Sequence, residues 1–172
     1  MKKHLLLFLC LVLTVASAQA QVRVVKSSTK KISIDVSGMR GTDDATAKLF
    51  LQTLEKDLRL SGWFEIVRKD GEIRLNGSAA SSGENIKSGC QVYRLNDQQT
   101  LLSKNYNGAT RAMAHRMADD IVEAVTGQKG FASMRIALIG NRSGKKEIYM
   151  CDGDGGGLRQ VTNEKRIVLG PP

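Results

Sequence analysis

His115 stands four residues from Arg111 on one side and four from Asp119 on the other, so on a helix all three share a face. An imidazole between a guanidinium and a carboxylate could pass a proton or hold a charge. Covalent catalysis would also need a nucleophile and a loop of oxyanion donors, and nothing in the sequence marks either. The ring falls off the apolar stripe expected for its helix, which places it on the surface. The paired carboxylates Asp119 and Asp120 are expected on the same helix surface. Gly140-Asn141-Arg142-Ser143-Gly144-Lys145-Lys146 resembles a phosphate loop. That motif requires four residues between its glycines and a hydroxyl after the lysine, whereas this stretch has three and a second lysine, so it is expected to be a hairpin turn. Asp152-Gly153-Asp154-Gly155-Gly156-Gly157 resembles a calcium loop, but Gly156 and Asn163 stand where an EF-hand needs oxygen ligands, so it is expected to be a β-turn. No catalytic residues, metal ligands or cofactor are therefore assigned, and the chain is expected to bind rather than catalyse.

The elements that would carry these residues read as follows. Ile32, Ile34 and Val36 alternate with polar residues, the period of a half-buried strand, and Gly38 to Gly41 is expected to turn the chain. Thr42 or Asp43 is expected to cap a helix with an apolar stripe of Ala47, Phe50, Leu51, Leu54 and Leu58, ended by Gly62. Trp63 to Arg68 reads as a strand, Lys69-Asp70-Gly71 as a hairpin turn, and Ile73 to Leu75 as the returning strand. Ala79 to Ser88, small and polar, is expected to be a loop. Cys90 to Leu95 and Leu101 to Tyr106 read as an antiparallel pair, and Ala109 to Val125 as a helix with Met113, Met117, Ile121, Ala124 and Val125 on its buried face. The fold class is then α/β, a small mixed sheet with two helices on one face. From Arg135 onward, short runs at 135–139, 147–151 and 158–162 alternate with turns and read as a β-propeller blade or sandwich. One such unit cannot bury both its faces, so the sequence predicts an incomplete blade, with residues 134–172 poorly anchored.

Lys2 and Lys3, the apolar run Leu5 to Val15 and the small-x-small triplet Ala18-Gln19-Ala20 form a secretory signal peptide, too short for a permanent span. The mature chain is expected to begin at Gln21. The formal charge of +9 falls by two when Lys2 and Lys3 leave. Adjacent basic pairs are few and aromatics make up 5% of the sequence, so the charge reads as a solvated surface rather than a nucleic-acid groove. Cys90 and Cys151 read as two buried free thiols, with one disulfide as the alternative.

Several stretches carry a family resemblance, in order along the chain. Gln21-Val22-Arg23-Val24-Val25 resembles the extended start of mature proteins of the TolB family, from the Tol-Pal system. Leu58-Arg59-Leu60-Ser61-Gly62-Trp63-Phe64 resembles the family's Leu-x-x-Ser-Gly-x-Phe helix end. Val125-Thr126-Gly127-Gln128-Lys129-Gly130-Phe131, followed by Arg135-Ile136-Ala137, is similar to the linker and first propeller strand. Residues 146–162 resemble a propeller repeat. The resemblance implies a signal peptide (1–20), an extended segment and linker (21–31), an α/β domain (32–127) and the start of a truncated propeller (128–172). It also implies a periplasmic, non-catalytic adaptor that supports outer-membrane integrity and cell division. Gln21, Val22, Arg23, Val24 and Val25 would engage a TolA-like inner-membrane protein by strand addition. The family's propeller helps bind the peptidoglycan-associated lipoprotein, a partner not expected for a chain holding only the opening of one. The family's small domain usually carries another helical segment between its middle strands, for which 79–88 is too short and polar. The alternatives are an exported basic protein binding the envelope surface, and a fragment of another TolB-like propeller protein such as a peptidase.

Overall fold

The first described element is a ten-residue strand, β1 (Ile32–Gly41), longer than its alternation suggested. Gly38 to Gly41 does not turn. After an irregularity between Asp35 and Gly38 the strand resumes pairing, with Gly38–Gly41 beside Asn76–Ala79. The computed structural model describes residues 30–163, of which 31–163 belong to one compact unit.

Helix α1 (Ala45–Leu60) starts at Asp44, one residue past the expected caps. The Asp44 carboxylate accepts from the backbone N–H of Ala47 at 2.9 Å, and the Thr42 hydroxyl donates to the same carboxylate. An N-cap carboxylate satisfies an amide that the first helical turn leaves unpaired. Ala47, Phe50, Leu54 and Leu58 are buried as their spacing predicts, and Leu51 packs partly buried at the margin.

The next connection departs from expectation. Strand β2 (Phe64–Val67) lies parallel to β1, and so does β3 (Ile73–Ser82), on β1's other side. Ile34 pairs with Ile66 on one flank and Ile73 on the other. Lys69-Asp70-Gly71 is therefore not a hairpin turn; it carries the chain across β1. Gly71 is needed there because a Cβ would sit 2.7 Å from the backbone nitrogen of Asp35. Asp35 lies on the face opposite Ile34 and Val36, and under this crossing it is fully buried. Its carboxylate accepts from the Ser37 N–H at 2.9 Å and from Arg74 at 3.2 Å.

Residues 79–88 are not a loop. They complete a long hairpin, β3 with β4 (Asn85–Arg94), paired from Ile73–Arg94 to Ser82–Asn85. Strand β5 (Gln99–Ala109) pairs antiparallel with β4, giving the order β2-β1-β3-β4-β5. Helix α2 (Thr110–Thr126) follows without a side-chain cap and closes at Gly127, which has φ 71°. Both helices pack on one sheet face over a single apolar core containing Phe50, Leu58, Leu75, Ile86, Met117 and Ile121. Cys90 and Cys151 are both buried free thiols, and burial pushes the Cys90 thiol up to about 11. No described helix is long and apolar enough to cross a membrane.

A second, antiparallel sheet of three strands follows: β6 (Arg135–Gly140), β7 (Glu147–Asp152) and the short β8 (Arg159–Gln160). Asn141 to Gly144 turns between β6 and β7, as the sequence predicts. Just beyond β8, the Thr162 hydroxyl donates to buried Glu147 at 2.5 Å.

Candidate functional site

The joint between the helical layer and the second sheet is built from charged side chains. Thr53 and Asp57 occupy the apolar stripe of α1, each three residues after an apolar one, Phe50 and Leu54, so the helix buries them. On α2 the buried face comprises Ala114, His115, Met117, Ala118, Ile121 and Val122, rotated from the expected one. Met113 and Val125 are only partly buried, while small Ala114 and Ala118 are fully buried. This rotation turns His115 inward to 4% exposure, which corrects the surface placement read from the sequence.

His115 Nδ1 lies 2.6 Å from Asp57 Oδ2. Its Nε2 faces Asp152 Oδ2 at 3.4 Å and Arg111 Nη2 at 3.5 Å. Arg111 donates from Nε to Asp152 at 2.9 Å and from Nη2 to Asp154 at 2.6 Å, spanning the turn after β7 with one guanidinium. Lys56 on α1 donates to the Asp154 carbonyl at 2.8 Å. The turn presents these acceptors because Asp152 N bonds the Gly156 carbonyl and Gly156 N bonds the Asp154 carboxylate. Gly156 must lack a side chain, since a Cβ there would lie 2.2 Å from Arg111 Nη2. Asp152 to Gly157 is thus a turn, as expected, but its carboxylates face protein partners. The turn at Asp152 to Gly156 is accordingly tied to both helices, against the expectation of a poorly anchored tail, while β6 leaves Ile136, Leu138 and Ile139 exposed.

The electrostatics follow from this packing. The Asp57 hydrogen bond holds the His115 pKa above the usual imidazole value, against the opposing effect of burial. Burial works to raise Asp152 and Asp154, but hydrogen bonds outweigh it. Arg111 and His115 lower Asp152, and Arg111 with the Gly156 N–H brings Asp154 down to about 2. His115, Asp152 and Asp154 are close enough to share a cation, and the Arg111 guanidinium already fills that role. Among the described residues the groups that meet His115 Nε2 are Asp152 and Arg111, an arrangement that holds charge and joins elements.

The other carboxylates singled out in the sequence also have structural partners. Asp119 accepts from the N–H groups of Ala132 at 2.7 Å and Ser133 at 2.9 Å, fixing the approach to β6. Asp120 accepts from Lys104 at 2.7 Å and Tyr106 at 2.8 Å, binding α2 to β5. Gln21 to Val25 lies outside the described residues. The joint left one sequence signal, namely that Thr53, Asp57 and His115 fall at helical spacing among apolar residues. Its partners Asp152 and Asp154 lie about forty residues further on and left none.

Fold and joint together define an α/β module locked onto a small antiparallel sheet. A Tol-Pal system protein TolB from Syntrophotalea carbinolica is 30% identical over 197 aligned residues, spanning 97% of this chain and 46% of the relative. A TolB homolog from Chlorobium chlorochromatii is 40% identical over 98 residues, 55% of this chain and 22% of its own. The crystal structure of TolB from Acinetobacter baumannii superposes with a TM-score of 0.64 at 20% identity, over 78% of this chain and 39% of that one, a likeness of fold. No protein-family model matches. The chain is a TolB-like protein. It spans about half the length of the Syntrophotalea carbinolica relative, 46% of that protein.

Proposed function

We propose that this protein is a periplasmic, non-catalytic adaptor of the Tol-Pal system, acting in outer-membrane integrity and envelope constriction. One observation carries the reading: the likeness to a Tol-Pal system protein TolB runs along 97% of the chain. In this reading residues 1–20 are a signal peptide, 32–127 an α/β domain and 128–172 the start of a propeller. The joint suits an adaptor, because it sets one sheet against the other without a reactive group. Gln21, Val22, Arg23, Val24 and Val25 engage a TolA-like inner-membrane protein. Three β-branched residues in five favour an extended backbone that can add to a sheet edge, and alternate side chains then fill pockets.

The test compares chains beginning at Gln21 and at Lys26 in a pull-down with the C-terminal domain of a TolA-like protein. Capture should drop at least tenfold without residues 21–25. Equal capture removes the segment from the mechanism, and no capture by either removes the TolA-like partner.

A further inference from the structure

His115 Nε2 faces two groups that make opposite demands on it. Asp152 Oδ2, 3.4 Å away, is a carboxylate oxygen and only accepts. Arg111 Nη2, 3.5 Å away, only donates. The ring nitrogen can therefore bond Asp152 while it carries a proton and Arg111 once it has lost it, but not both. Its other nitrogen is committed in either state, because Nδ1 at 2.6 Å from Asp57 must carry a hydrogen for that contact to hold.

We propose that His115 is a proton-operated switch in the joint: when charged it holds the Asp152–Gly157 turn through Asp152, and when neutral it turns to Arg111 and leaves Asp152 with one donor fewer. The charges around the ring agree. Asp57 and Lys56 face the joint from α1, Arg111 from α2, and Asp152 and Asp154 from the turn. With the imidazolium, three cations meet three carboxylates. Loss of the proton leaves one uncompensated negative charge where Asp57 and Asp154 have almost no contact with water. A buried charge without its counter-ion is costly, and the turn can relieve that cost by moving outward. This inference is independent of the partner proposed above, since it concerns how the second sheet is held to the α/β domain.

The sequence contains two histidines, so in the full chain carrying His4→Gln the ring of His115 is the single imidazole signal in NMR. Its titration is followed from pH 5 to 9 beside hydrogen-exchange protection factors, corrected for intrinsic rates, at the amides of Asp152, Gly155 and Gly156. Those protection factors should fall at least threefold across the His115 titration. With Asp152→Asn the ring should titrate at lower pH and protection should stay level. His115→Gln should be level too, and Asp152→Asn carries the test should that variant not fold. Level protection in the parent while its ring titrates overturns the proposal. So does a ring that keeps one state throughout, or an undiminished change in Asp152→Asn.

Discussion

Two buried regions hold this protein together, and they do so by opposite physics. Beneath the five-stranded sheet the core is apolar, with Phe50, Leu58, Leu75, Ile86, Met117 and Ile121 almost wholly withdrawn from water. A few ångströms along the same helices the joint buries Asp57, His115 and Asp154. The core is non-directional and tolerates exchange of similar volumes. The joint depends on each donor meeting its acceptor, and removal of one partner strands another. Substitutions in the core should therefore lower stability whatever the pH, whereas those in the joint should change how stability and the hold on the second sheet respond to pH.

The largest effect is expected in the core. Phe50→Ala should cost about 3–5 kcal/mol, and Leu54→Ala about 2–5, in urea unfolding. A loss within the surface range of about 0.5 kcal/mol would mean that the α1 stripe does not face the core.

Arg111→Ala comes next. It strips charged hydrogen bonds from Asp152 and Asp154, each worth about 1.5–3 kcal/mol. Its distinguishing mark is local. Limited proteolysis between Thr126 and Ser133 should accelerate several-fold relative to the parent, while Phe50→Ala at equal global stability should show no such preference. Equal acceleration in both would erase the contrast between core and joint.

The pH dependence has two limbs. Asp154, lowered to about 2, contributes stability that is lost as pH falls through that value. His115, raised, contributes stability fully present below the unfolded imidazole value of about 6.5 and lost as pH rises through its higher folded value. Urea midpoints should therefore decline as pH rises above about 6.5, and His115→Gln should flatten that decline. An unchanged alkaline limb in the variant would assign it to other groups.

The smallest effect is expected at Glu55, which bridges Arg59 at 2.6 Å and Arg68 at 2.9 Å on the surface. Glu55→Gln should cost no more than about 1 kcal/mol, fading with added salt. A larger cost would place surface pairing beside the joint in importance.

How far these regions were legible follows from their physics. The stripe Ala47-Phe50-Leu54-Leu58 and the alternation in β1 are local patterns, so the α/β class and element order could be read directly. Leu51 and Met113 were overvalued because size stood in for burial, while Ala114 and Ala118 were passed over. The hairpin reading of Lys69-Asp70-Gly71 failed because a turn signal does not say which strand the chain will join. The joint was hidden twice over. His115 falls off a stripe drawn through Met113, Met117 and Ile121, which points it to the surface, and of the carboxylates that justify its burial Asp57 lies on the other helix and Asp152 in a glycine-rich turn far along the chain.

The crossing at Gly71 also constrains the order in which the chain can assemble. β2 and β3 flank β1 through a link of five residues, so once β2 is in place the ends of that link are already close. Closing so short a loop adds little entropy. The slow search is then the first one, bringing residues 64–67 back across α1 to residues 32–35. After it, β3, β4 and β5 can add in sequence order, each through a short connection. Lengthening the α1–β2 connection should slow folding with little effect on the unfolding rate, and lengthening the β4–β5 turn should leave the folding rate nearly unchanged.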